Sequence, residues 1–279
     1  MTYPYEMSLE SWSQSYPPDY TNYCGSIVGP YDLVASESRR IQCGVAEYSN
    51  EKCFTDAFVW ACGEPDVRSV TKVGGLPYRP EGIAWPKMSE TGAPMTFLAQ
   101  FCFSGSNDLV GVLPSEVLLV FAEDETFGSR DALRFEWHSL GIEQLISTVD
   151  LPKPSWEFAT CHGFRCRLTD YACTPETLNE QSYDFARALV HSGTKIGGQP
   201  YFLRERETPG YASGFTHPKG RFIAQLADIL PSSVSPYPWI NCPDPEEGGD
   251  ETRLTLVDGA LIHLFVDEAG IVEWGFEFG

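Results

Sequence analysis

Short apolar runs bounded by turn residues recur along the chain and read as β-strands. LLVFA at 118–122 and LIHLFV at 261–266 are rich in Val, Leu, Ile and Phe, and the second alternates around His263. TFLAQFCF, beginning at Thr96, and RFIAQLADI, beginning at Arg221, have the same character. Further strands are expected at 133–137 and 156–169, with a strand pair at 57–61 and 41–46. Two glycine pairs, Gly74-Gly75 and Gly197-Gly198, are each followed by a proline, Pro77 and Pro200. They mark sharp changes of direction where a side chain would obstruct the backbone. One helix is predicted over about 175–191: Thr174 caps it, Pro175 takes the first helical position, and Leu178, Phe185, Ala188 and Leu189 share one face ahead of Gly193.

The strand pattern repeats. TKVGGLPY at 71–78 and TKIGGQPY at 194–201 agree at six of eight positions, with one Val to Ile exchange. Downstream, PMTFLAQF aligns Phe97, Ala99 and Gln100 with Phe222, Ala224 and Gln225 of KGRFIAQL, and LLVFAED pairs with IHLFVDE. The three blocks keep their order, so one unit of strand, Gly-Gly turn, strand and strand occurs twice. Two copies are too few for a solenoid and are expected to pack about a pseudo-two-fold axis. The fold class expected is therefore a β-rich α+β body with an internal tandem duplication and a connecting helix. The body would span 67–279, with repeat one at about 67–140 and repeat two at about 190–279. Residues 1–66 carry Tyr3, Tyr5, Trp12, Tyr16, Tyr20 and Tyr23 among Ser and Pro, which suits an irregular segment pinned to the body by aromatic anchors. The acidic, Gly- and Pro-rich stretch 241–251 reads as an exposed loop.

Charge narrows the partners. A net charge of -20 repels phosphate backbones and anionic lipid heads, so neither nucleic acid nor a membrane is expected as a partner. The start of the chain has no basic region followed by an apolar one, and a cytoplasmic address is the default. The nine cysteines lack the dense spacing of a disulfide framework and read as mostly free, buried thiols.

The succession K-[VI]-G-G-x-P, then Trp85-Pro86, then F-L-A-Q and a hydrophobic strand resembles the YwqG-like family of bacterial proteins of unknown function. The resemblance covers about 71–124 and 194–268. It implies a β-rich α+β fold with an internal duplication and no established activity. Some relatives lie near polymorphic toxin systems, which implies binding or immunity.

Candidate chemistry is sparse. The glycine pairs 74/75 and 197/198 could cradle an anion on backbone N–H groups, but Pro77 and Pro200 remove a donor and no helix start follows, so a turn needing positive φ is favoured. Gln100 and Gln225 sit at matching places in apolar strands. A buried amide must satisfy its oxygen and both hydrogens, and the backbone of the glycine turn is the expected partner. Cys161, His162, Cys166 and Cys173, with His191, have the right types for zinc and the wrong spacing, since positions five apart on a strand face opposite ways. No metal and no cofactor is expected. No nucleophile elbow, HExxH or phosphate loop occurs, and catalytic residues stay unassigned. Cys161 or Cys166 with His162, His191 or His217 would be the candidates. Acid pairs such as Glu246-Glu247 and Asp267-Glu268 suit a solvated rim.

One region runs against the negative balance. Lys195, Arg204, Arg206, Lys219 and Arg221 gather around the second glycine turn, either to pair with the chain's own acids or to dock a partner. With Trp85 from the loop 78–93, the residues Arg204, Arg206, Lys219 and Arg221 are the candidate binding set, bordering a groove between the repeats. The function expected is a protein or peptide binding module, acting as an immunity or regulatory factor. The alternative is an enzyme on a small acidic or polar substrate, with a His/Cys site in the same cleft.

Overall fold

The apolar runs become strands of one antiparallel sheet. In a computed structural model that describes residues 3–7, 52–123, 127, 131–158, 160–171, 189–202, 218–229, 256 and 260–277, the strands are β1 (Glu6–Met7), β2 (Lys52–Cys62), β3 (Lys72–Val73), β4 (Thr96–Cys102), β5 (Val117–Ala122), β6 (Leu133–His138), β7 (Cys161–Tyr171), β8 (Lys195–Gly197), β9 (Arg221–Ala227), β10 (Leu261–Val266) and β11 (Val272–Glu277). A one-turn helix α1, Asn107–Val110, precedes β5. β4 and β5 are buried at every position. One face lines the core, and Trp85 in the loop after β3 packs edge-on against Phe121 of β5. Burial on both faces is why these two strands read as continuous apolar runs and not as alternating ones.

The sheet order is β11-β10-β9-β8-β2-β7-β3-β4-β5-β6, with β1 alongside β7 in parallel. Outward from β7 the chain runs β3 to β6, and outward from β2 it runs β8 to β11, so both arms follow one plan. Their first strands are exchanged: β2 precedes β3 in sequence but pairs with β8, while β7 precedes β8 but pairs with β3. Neither arm closes a core by itself. Phe58, Phe101, Leu118, Ile223, Leu264 and Phe276 belong to one apolar cluster.

Each arm also carries a bulge at the same place. Ladder pairing skips Leu98 between Phe97 and Ala99 in β4, and skips Ile223 between Phe222 and Ala224 in β9. Both extra residues are fully buried. A bulge bends its strand and increases twist, and two of them curl the arms toward each other.

The α+β expectation is corrected. Among the described residues strand makes up 42% and helix 5%, and the sheet curls into a nearly closed antiparallel barrel. The helix expected over 175–191 lies outside the described residues except for its last three positions, as do the strand at 41–46 and the loop at 241–251. The cap-and-proline signal at 174–177 weighs little against a core built from strands, because local helix signals do not determine fold class. The strand expected at 156–169 begins later, at Cys161, and the one at 57–61 is longer, Lys52–Cys62. Among the described residues no helix is long and apolar enough to cross a membrane.

Because the core is shared, Leu98→Ala in one arm and Ile223→Ala in the other should each lower stability by about 2–5 kcal/mol. Both should shift a single unfolding transition. Far- and near-UV circular dichroism melts that separate into two steps would show arms that fold independently.

Candidate functional site

The repeated motif builds the same hydrogen-bonded knot twice. Thr71 accepts from the Cys102 N–H and Thr194 from the Ala227 N–H, each at 3.0 Å, tying the motif to the strand beside it. Gln100 accepts from the Tyr78 N–H at 2.8 Å and donates to the Arg68 and Val70 carbonyls. Gln225 accepts from the Tyr201 N–H at 2.9 Å and donates to the Ser192 and Gly193 carbonyls. Each buried amide thus uses its oxygen and both hydrogens, as a buried amide must.

The glycine turns do hold an anion, and it is the chain's own. Lys72 pairs with Glu64 at 2.6 Å, and Glu64 also accepts from the Leu76 N–H. Lys195 pairs with Asp170 at 2.9 Å, both fully buried, and Asp170 accepts from the His191 and Gln199 N–H groups. Gly75 and Gly198 have φ of +67° and +73°, and a Cβ there would meet Glu64 Oε1 at 1.8 Å or Asp170 Oδ2 at 2.2 Å. Glycine is therefore needed twice over, for its backbone conformation and for the space the carboxylate fills. Burial by itself would raise the Asp170 carboxyl, but the charge of Lys195 and the N–H donors outweigh it and hold the group below its usual range. Pro77 and Pro200 sit between the donating N–H groups on either side of them, where no further donor is required.

The remaining sequence candidates that are described lie apart from the knots. Trp85 donates its indole N–H to the Met95 carbonyl at 2.7 Å and lies 5.4 Å from the buried Arg79 guanidinium, so it closes the core over β5. Arg221 donates to the Val112 carbonyl beyond α1, and the Lys219 N–H donates to Glu273. Arg204, Arg206, Cys173 and His217 lie outside the described residues. Cys161 belongs to the main core and Cys166 to a separate cluster with Ala57, Val59 and Leu168 on the other face of the sheet. Among the described residues no three His, Cys, Asp or Glu side chains converge as metal ligands. Burial pushes the Cys102 thiol up to about 11. His162 donates Nδ1–H to the Gly63 carbonyl, and burial, with Lys72 nearby, lowers its pKa.

Sequence reading missed the open seam of the barrel. Among the described strands β6 and β11 end the ladder, and they face one another across a groove of about 510 Å³. Leu133, Phe135 and Trp137 line one side, Val272 and Trp274 the other, and Ile271 stands on the lip at 61% exposure. Arg134 and Glu273 alternate with these along the strands. The groove is bridged at one end by the Trp137 indole N–H to the Gly270 carbonyl, at 3.3 Å, and at the other by Phe127 against Phe276, 5.2 Å between ring centres. Alternation in LRFEWH and VEWGFE was the available signal, but it shows a half-buried strand without showing that its edge ends a ladder.

Residues 71–142 match the family model of a domain of unknown function, DUF1963. The match spans β3 to β6 and so covers one arm of the ladder without its exchanged first strand. No curated protein matches the chain.

Lys195→Met would leave Asp170 buried without its counter-ion and should cost about 3–5 kcal/mol in chemical denaturation. Asp228 supplies a pH dependence. Burial raises its carboxyl to about 7, against the opposing Leu256 N–H donor. The folded state then keeps a proton that the unfolded chain releases near its ordinary carboxylate pKa, so stability declines as pH rises from about 4 to about 7. Asp228→Asn should remove that decline, raising the melting temperature at pH 7.5 and leaving it nearly unchanged near pH 4.

Proposed function

We propose that the protein is a peptide-binding module that takes an extended segment of a partner into the seam between β6 and β11. The observation that carries this reading is that two strands at the ends of one ladder face each other over an apolar groove. A strand edge presents N–H and C=O groups spaced to pair with another chain, and strand addition is a recurrent way of binding peptides. Main-chain pairing would hold the segment, and its alternate side chains would enter between Phe135 and Trp137 on one side and Val272 on the other. A regulatory or immunity role would be exercised through such a complex. The matching motif in the second arm supports extending the DUF1963 relationship, and with it the YwqG-like resemblance, beyond residues 71–142. The candidate thiols of the enzyme alternative, Cys161 and Cys166, are both buried in apolar clusters, which lends that reading no support.

Selection of displayed random peptides on the whole protein should enrich segments with alternating apolar positions. Their binding should fall at least about tenfold, about 1.4 kcal/mol, in Ile271→Asp, whose side chain is exposed and whose replacement leaves the core intact. Peptides that bind this variant unchanged, or that slow hydrogen exchange only outside β6 and 270–274, would refute the seam as the site.

A further inference from the structure

Resting on that reading, we infer that the occupant of the seam is a single extended segment whose inward side chains are apolar and whose outward side chains are basic. Strand polarity comes first. All nine neighbouring pairs from β11 to β6 are antiparallel, so the two end strands run in opposite senses. One inserted strand is then antiparallel to one edge and parallel to the other, whereas a hairpin would be antiparallel to both.

Volume favours the single strand. A strand residue with its neighbours' spacing occupies about 160 Å³. The groove of about 510 Å³ therefore matches about three residues of one strand, which favours a single strand over a hairpin.

Chemistry of the two faces follows from the lining. Facing the barrel interior, Phe135, Trp137 and Val272 offer contact only to apolar groups. On the outer rim Arg134 is already engaged by Asp131 at 3.3 Å and by the Ser89 hydroxyl at 3.0 Å. Glu273 on the groove accepts from the Lys219 backbone N–H, and Asp267, in the turn before β11, from the Ala269 and Ile271 N–H groups; these bonds engage the carboxylates without supplying a cation, and with Glu268 they make this rim acidic on a chain whose net charge is -20. Long-range attraction and local pairing then favour the same sign of partner.

Three synthetic peptides test this on the whole protein: KVKVKVK, EVEVEVE, and KKKKVVV, which has the first peptide's composition without alternation. Tryptophan fluorescence and hydrogen exchange are the readouts, with titration into the millimolar range. The alternating basic peptide should bind at least about tenfold more tightly than either other, slow exchange in β6 and 270–274, and weaken by about tenfold between about 0.05 and about 0.5 M salt. In Glu273→Gln its advantage over the acidic peptide should shrink. Equal seam binding by EVEVEVE would overturn the basic outward face while leaving strand addition standing. Equal binding by KKKKVVV would overturn the extended alternating segment. If no peptide protects the seam, both this inference and the binding site it rests on fail.

Discussion

The antiparallel ladder between β2 and β7, eleven residues on each strand, is the constraint on which the rest of the molecule depends. It is the only place where the arms are joined by main-chain pairing among the described strands. Its register also sets the charged contacts at the barrel's middle. Asp56 on β2 pairs with Arg165 and Arg167 on β7 and accepts from the Ser106 hydroxyl at 2.6 Å. Arg167 reaches Asp108 of α1, and Arg165 reaches Glu6 of β1 and lies 4.7 Å from the Tyr3 ring centre. A slip of one residue would turn Asp56 to the other face and leave two arginines without their carboxylate.

From that ladder the knots propagate order outward. Each Thr, Lys, Gly-Gly and Gln set binds the short strand next to the ladder, the strand after it and the return of the chain into one unit with its polar groups satisfied. The internal carboxylates make the turns self-sufficient: the donors that a phosphate or a substrate acid would need are already occupied by Glu64 and Asp170. The most visible motif is thus structural, and the place where the described strands leave the barrel open carries no motif.

The same contrast explains what was legible in the sequence. Strands with both faces buried, such as β4 and β5, advertise themselves as apolar runs, and positive φ at Gly74, Gly75, Gly197 and Gly198 is read directly from paired glycines. Glu64 and Asp170 were invisible because they occupy different places relative to their motifs, Glu64 just beyond β2 and Asp170 inside β7. The roles of β2 and β7 were hidden for a related reason: their sequences, KCFTDAFVWAC and CHGFRCRLTDY, share no pattern, since one carries the acid and the other the arginines of a single network. Basic residues close in sequence, Lys195 and Arg221, were drawn apart by topology, one into a buried pair and the other onto a backbone carbonyl beyond α1. An open seam is a property of how ten strands curve, and no local pattern encodes it.

Exchange of the first strands has a consequence for the chain as a physical object. The segment that runs from β6 to β7 is a tether between two interlocked halves, and it sets an effective concentration for their union. Were it too short to let β7 reach β3 of its own chain, β7 could complete another molecule's arm equally well, and the same contacts would hold a dimer together. Length in that connection therefore sets the balance between exchange within one chain and exchange between two.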